Sequence, residues 1–162
     1  MAVKNEYVIT QNGAKVPGAR GGKVVILAGT FETEATDGAG SKYRLAKLSG
    51  DLVPISMNIN NDAIAGLDDA DLGLYETLEK GGVVKDADIY MDGVDLSGGK
   101  DIGSGQSGLS SLPLADIGKI VAVNAGDTVP TPSMEYDLVL TSNNAVTGAG
   151  TVAWRGTFVR TA

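Results

Sequence analysis

VPISMNIN, residues 53–60, decides the class of fold. Val53, Ile55, Met57 and Ile59 alternate strictly with Pro54, Ser56, Asn58 and Asn60. Successive side chains of a strand leave opposite faces, so this period of two predicts a half-buried β-strand. The rhythm recurs in DADIYMD (86–92), where Ala87, Ile89 and Met91 oppose Asp86, Asp88 and Asp92. EYDLVLTS (135–142) puts Tyr136, Leu138 and Leu140 on one face. TVAWRGTFVR (151–160) sets Val152, Trp154 and Phe158 against Thr151, Arg155 and Thr157, with Gly156 between.

Two runs, KVVILAGTF (23–31) and KIVAVNA (119–125), are apolar on both faces and read as central or doubly covered strands. EYVIT (6–10) and YRLAKL (43–48) are weaker strand candidates. Residues 68–82 allow a helix capped by Asp68 and stopped at Gly81. Gly73 in its middle would cost about 1 kcal/mol relative to Ala, and LGLYE keeps the strand rhythm. We therefore read a strand at about 71–76 with a short turn or helical piece after it. Breakers separate the runs: Pro17-Gly18, Gly21-Gly22, DGAG at 37–40, SGD at 49–51, Gly81-Gly82, Gly98-Gly99 and Asn143-Asn144.

Eight or nine short strands with turns between them predict one all-β sandwich, jelly-roll-like. Residues 1–22 form an extended N-terminal arm in this reading, and 23–162 the sandwich. A Gly/Ser-rich loop without periodicity occupies about 97–117. The 162-residue length suits one domain, and 23 glycines favour a turn-rich β protein over a helical bundle.

Charge and missing residue types exclude whole classes of chemistry. A formal charge of −7 with only 13 scattered basic residues argues against nucleic acid as a partner. With neither Cys nor His, disulfides, thiolate zinc sites and the commonest general base are unavailable to the chain. No apolar run approaches the ~20 residues that span a bilayer, and MAVKNEYVIT lacks the apolar region of a signal peptide.

The carboxylates invite a closer test. NDAIAGLDDADLGLYE (61–76) gathers Asp62, Asp68, Asp69, Asp71 and Glu76. A calcium loop starting at Asp69 would find Asp71 in place but Gly73 where the third ligand belongs, so the pattern fails. Asp caps turns readily, and these residues read as turn formers. Asp86, Asp88 and Asp92 would share one wet strand face, an arrangement poorly suited to a glycosidase pair. GSGQSG (103–108) matches a dinucleotide-binding pattern in letters, without the strand before it or the helix after it. No cofactor, metal or catalytic residue is expected. Trp154, the single tryptophan, reads as a core anchor, with an interface role as the alternative.

Taken in order, NDAIAGLDDADLGLYE, GGVVKDADIYMDGVDLS (81–97) and YDLVLTSNNAVTGAGTV (136–152) resemble a family of small tailed-bacteriophage head proteins, the capsid decoration or cement proteins. The resemblance spans roughly 43–160 and is sharpest at DLGLY and GGVVKDAD. It implies a non-enzymatic jelly-roll domain on the outer surface of the virion, a homotrimer bound to the major capsid protein. The arm would then add to a neighbour's sheet edge, with Tyr7, Val8, Ile9 and Val16 as contact residues alongside Trp154. The rival readings are a tail-tube or fibre-associated module and a carbohydrate-binding sandwich.

Overall fold

A computed structural model describes residues 1–7, 23–100, 106–128 and 134–160, with backbone alone at 6, 7 and 106. Nine strands run through them: β1 (Asn5–Tyr7), β2 (Lys23–Thr33), β3 (Ser41–Ser49), β4 (Leu52–Asn61), β5 (Ala70–Glu76), β6 (Val84–Val94), β7 (Gln106–Ser107), β8 (Glu135–Ser142) and β9 (Gly150–Arg160). A short helix, α1, covers Val121–Asn124, and a 3-10 turn at Leu78–Lys80 follows β5. The expected strand at about 71–76 and the helical piece after it are both present.

The strands form two sheets, ordered β1-β3-β8-β5-β6 and β2-β9-β4-β7. The antiparallel pairs nest: β2 with β9, β3 with β8, β4 with β7, β5 with β6. A hairpin of four strand pairs has been rolled so that alternate pairs fall in opposite layers, which makes a jelly-roll-like β-sandwich. β1 is an addition, parallel to β3 at the sheet's edge.

Inward side chains of the two sheets meet in one core. Met57 and Ile59 of β4, beside Val152, Trp154 and Phe158 of β9, share this core with Leu72 and Leu74 of β5 and Leu138 and Leu140 of β8 from the other sheet. Phe31 stacks on Tyr43 across the layers, with ring centres 4.8 Å apart. Gly156 lies between Trp154 and Phe158, and a methyl group there would come within 2.6 Å of the Phe158 ring. Two large rings on one strand face fit because the residue between their rows has no side chain.

Four expectations need correction. In β4 the pairing shifts between Pro54 and Ser56, so Ile55 is an extra residue. Proline has no N–H to complete the ladder, and the bulge absorbs it. Pro54 is consequently buried and Ile55 is 56% exposed, reversing the alternation at the strand's start. In β6 the register to β5 slips repeatedly, from Leu72↔Met91 to Leu74↔Asp86. Tyr90, which strict alternation puts on the aspartate face, is buried beside Met91.

KIVAVNA holds α1 rather than a strand. It packs against the turn at 49–51, where Ala122 N–H donates to Gly50 O at 3.1 Å. The segment satisfies its own backbone, with Asn124 N–H donating to Ile120 O and Ala125 N–H to Val121 O. Buried Val121, Ala122 and Ala125 thereby close one end of the core. Finally, β2 is an edge strand with one uncovered face, not a central one. Within the 97–117 loop, Gln106 and Ser107 pair with Ile59 and Asn58 as β7, and 101–105 lie outside the described residues.

Candidate interaction surface

The aspartates of 62–71 are engaged by neighbours from late in the chain. Asn143 Nδ2 donates to Asp69 Oδ1 at 3.1 Å and to Asp71 Oδ2 at 2.8 Å, while Asn144 Nδ2 donates to Asp68 Oδ1 at 3.0 Å. Gly93 N–H donates to Asp71 Oδ1 at 2.8 Å, and Thr151 N–H to Asp62 Oδ2 at 2.9 Å. These carboxylates latch the turns at one end of the sandwich. Among the described residues no cluster of three acidic side chains is arranged to hold a metal ion.

A second polar assembly lies on the outer side of the five-stranded sheet. Arg44 and Asp137 are both fully buried, with Nη1 donating to Oδ2 at 2.7 Å. The guanidinium also donates to Glu76 O at 3.2 Å, Gly82 O at 3.3 Å and Asn5 Oδ1 at 3.1 Å, and lies over the Tyr75 ring. One cation thus ties β1, β3, β5, β8 and the 77–83 turn together. Beside it the β6 backbone crosses directly over Gly73, where an added Cβ would fall 2.2 Å from Ala87 C and Asp86 O. This face is sealed by the chain's own backbone. Its chemistry is structural.

Along β6, Asp86 and Asp88 sit together, and burial followed by the proximity of Asp88 holds the Asp86 carboxyl above its ordinary range. Lys85 turns away, pairing with Asp127 at 3.2 Å. Asp127 accepts a hydrogen bond from Tyr136 Oη, which with Lys85 holds its carboxyl below the usual range. Neither Asp86 nor Asp88 makes an ion pair among the described residues.

The outer face of the four-stranded sheet is different in character. Its rows read Val24, Val159, Val53; then Ile26, Thr157, Ser56; then Ala28, Arg155, Asn58; then Thr30, Ala153, Asn60. Val24 is 48% exposed and Ile26 46%, and Ile55, on the β4 bulge across β9, is 56% exposed. The strands of this sheet carry only Lys23, Glu32, Arg155 and Arg160 as charged residues. Arg160 pairs with Asp51 at 3.2 Å, whereas Arg155 makes no ion pair among the described residues. On a chain of net charge −7, this face is partly apolar and carries Arg155.

The named contact residues fall as follows. Tyr7 ends β1, its backbone paired with Arg44. Val8, Ile9 and Val16 lie outside the described residues. Trp154 is in the core, 3% exposed. Sequence reading missed the outer face because it assigned a cover to KVVIL; the two-faced apolarity was the signal that could have found it.

Fold and surface together define a jelly-roll-like sandwich with a partly apolar outer sheet face. Its fold is similar to that of a chain in the cyanophage Pam1 capsid asymmetric unit, with 13% identity, a TM-score of 0.54 and coverage of 91% of this chain and 92% of that one. A chain in the capsid of Ralstonia phage GP4 matches at 15% identity and a TM-score of 0.48, covering 91% and 90%. No family model matches the chain, and no curated protein does.

Proposed function

We propose that the chain is a structural virion protein that decorates a phage capsid. It binds on the outer surface across major capsid protein subunits, as a homotrimer, and resists separation of the shell by packed DNA. The observation that carries this reading is a sandwich shared, over 91% of this chain, with a chain of a capsid asymmetric unit. The contact-ready sheet face supports it, since a cement protein works by adhesion at many identical sites. Of the N-terminal arm read at 1–22, Asn5–Tyr7 pairs with β3 of its own chain, and the remainder serves in this reading to reach a neighbouring subunit.

The test uses heads lacking the protein. Added purified chain is expected to co-sediment with them at a fixed copy number per capsid subunit, to be seen outside the shell by electron microscopy, and to raise the temperature at which full heads release DNA. Binding to tails instead of heads, or specific binding to a glycan array without head binding, would overturn the reading.

A further inference from the structure

The molecule is electrically two-ended. Residues 62–95 hold ten acidic residues against Lys80 and Lys85, a net −8, so the rest of the chain sums to +1 within the overall −7. The acidic half runs along the β5–β6 side, ending at β6, the outermost strand of its sheet. The four-stranded sheet, with β2 outermost on the other flank, carries Lys23, Arg155 and Arg160 against Glu32 alone.

Each end pairs its charge with exposed apolar side chains. Val24, Ile26 and Ile55 are exposed on the sheet that carries Arg155, while Val83 at 57% and Val84 at 52% exposure precede Asp86 and Asp88. The two outermost long strands also differ in protection. β6 is broken by register shifts and lined with Lys85, Asp86, Asp88 and Asp92. β2 runs eleven residues in unbroken register with no proline, and among the described residues its outer edge is unpaired. Natural sheets blunt such edges unless something covers them.

We infer that copies of this chain associate head to tail, the β2 edge and the Val24–Ile26–Ile55–Arg155 face of one copy seating on the Val83–Val84 and Asp86–Asp88 corner of the next. The contact deepens the homotrimer of the proposed function and rests on that reading for its closure into a ring. Different patches meet, so the interface is heterologous, and a rotation that closes gives a ring instead of a two-fold dimer. Arg155 gains carboxylates, and the crowded Asp86–Asp88 pair gains a cation. Like-charged faces cannot meet, so the same charges reject face-to-face dimers.

The experiment is native mass and sedimentation analysis of the full chain and surface variants, each first checked for folding by circular dichroism. The wild type is expected to form a closed oligomer. Ile26→Asp, with Ile55→Asp as a second variant of the same face, and Val84→Asp on the opposite corner are each expected to leave single copies. Mixing Ile26→Asp with Val84→Asp should give open dimers and nothing larger, because one sound contact survives. Arg155→Asp and Asp88→Arg should each weaken association at least tenfold, and the double variant should regain it. A wild type that stays monomeric, an oligomer indifferent to Val84→Asp, or a mixture that rebuilds the full ring would overturn the inference. Head co-sedimentation is read separately: single copies that still bind heads sink this contact and leave the decoration role standing. Rings that ignore heads do the reverse.

Discussion

Gly73 shows how one missing side chain sets the course of a strand. The β6 backbone lies where its Cβ would be, so Gly73→Ala must push β6 off β5. We expect a loss of about 3 kcal/mol or more, at the upper end of overpacking costs, read as a lowered urea midpoint. Arg44 makes a different point. Arg44→Met removes the counter-charge from a carboxylate with no solvent exposure and should cost roughly 3–5 kcal/mol. The double variant Arg44→Met with Asp137→Leu should recover most of that loss, because no charge then stays in the interior. A double variant as unstable as the single would show that the hydrogen bonds to Glu76, Gly82 and Asn5 matter more than charge neutralisation. Neither feature was legible in the sequence. Gly73 was weighed there as a helix cost, and Arg44 lies 93 residues from Asp137, so nothing local announces their pairing.

Strand β6 carries one part of the pH dependence. The folded-state pKa of Asp86 is raised, chiefly by burial and then by Asp88. Its charged form is therefore disfavoured on folding, and its contribution is favourable at low pH and lost as pH rises through the folded value. Asp86→Asn should raise the melting temperature of single copies at neutral pH, with the gain fading as pH falls into the carboxylate range. The Ile26→Asp background isolates that effect from any contact between copies. A gain that persists at low pH would assign it to something other than ionisation. Elements were also where alternation was most and least informative. It placed Met57, Ile59, Leu138, Leu140, Val152 and Phe158 inside, where they are. It failed at Pro54–Ile55 and at Tyr90, where bulges change the parity of a strand. In 119–125 the apolar run announced burial, and the segment meets it as α1, with Val121 and Ala122 buried.

At the scale of the whole molecule, the nested pairs join the most distant parts of the chain. β2 and β9 pair from Lys23↔Arg160 to Thr33↔Gly150, and β4 packs on the other side of β9. Removing residues 150–162 should leave both partners without their central strand and give an unfolded chain by circular dichroism. Removing residues 1–7 takes away only the short β1 and should lower the melting temperature while leaving the sandwich intact. An equal loss in both truncations would mean that β1, not the nested pairs, holds the fold. Such long-range pairing also predicts slow refolding, since distant segments must meet before either gains. The two-layer architecture was visible from periodicity and turn spacing, but which strand neighbours which was not, because pairing partners more than a hundred residues apart leave no local pattern. The Lys23↔Arg160 register has a practical corollary: residue 160 finishes where residue 23 begins. A short peptide bridge could splice those points, and new termini could be opened at Gly81-Gly82, giving a circularly permuted protein that loses β1 and keeps the rungs among the other eight strands.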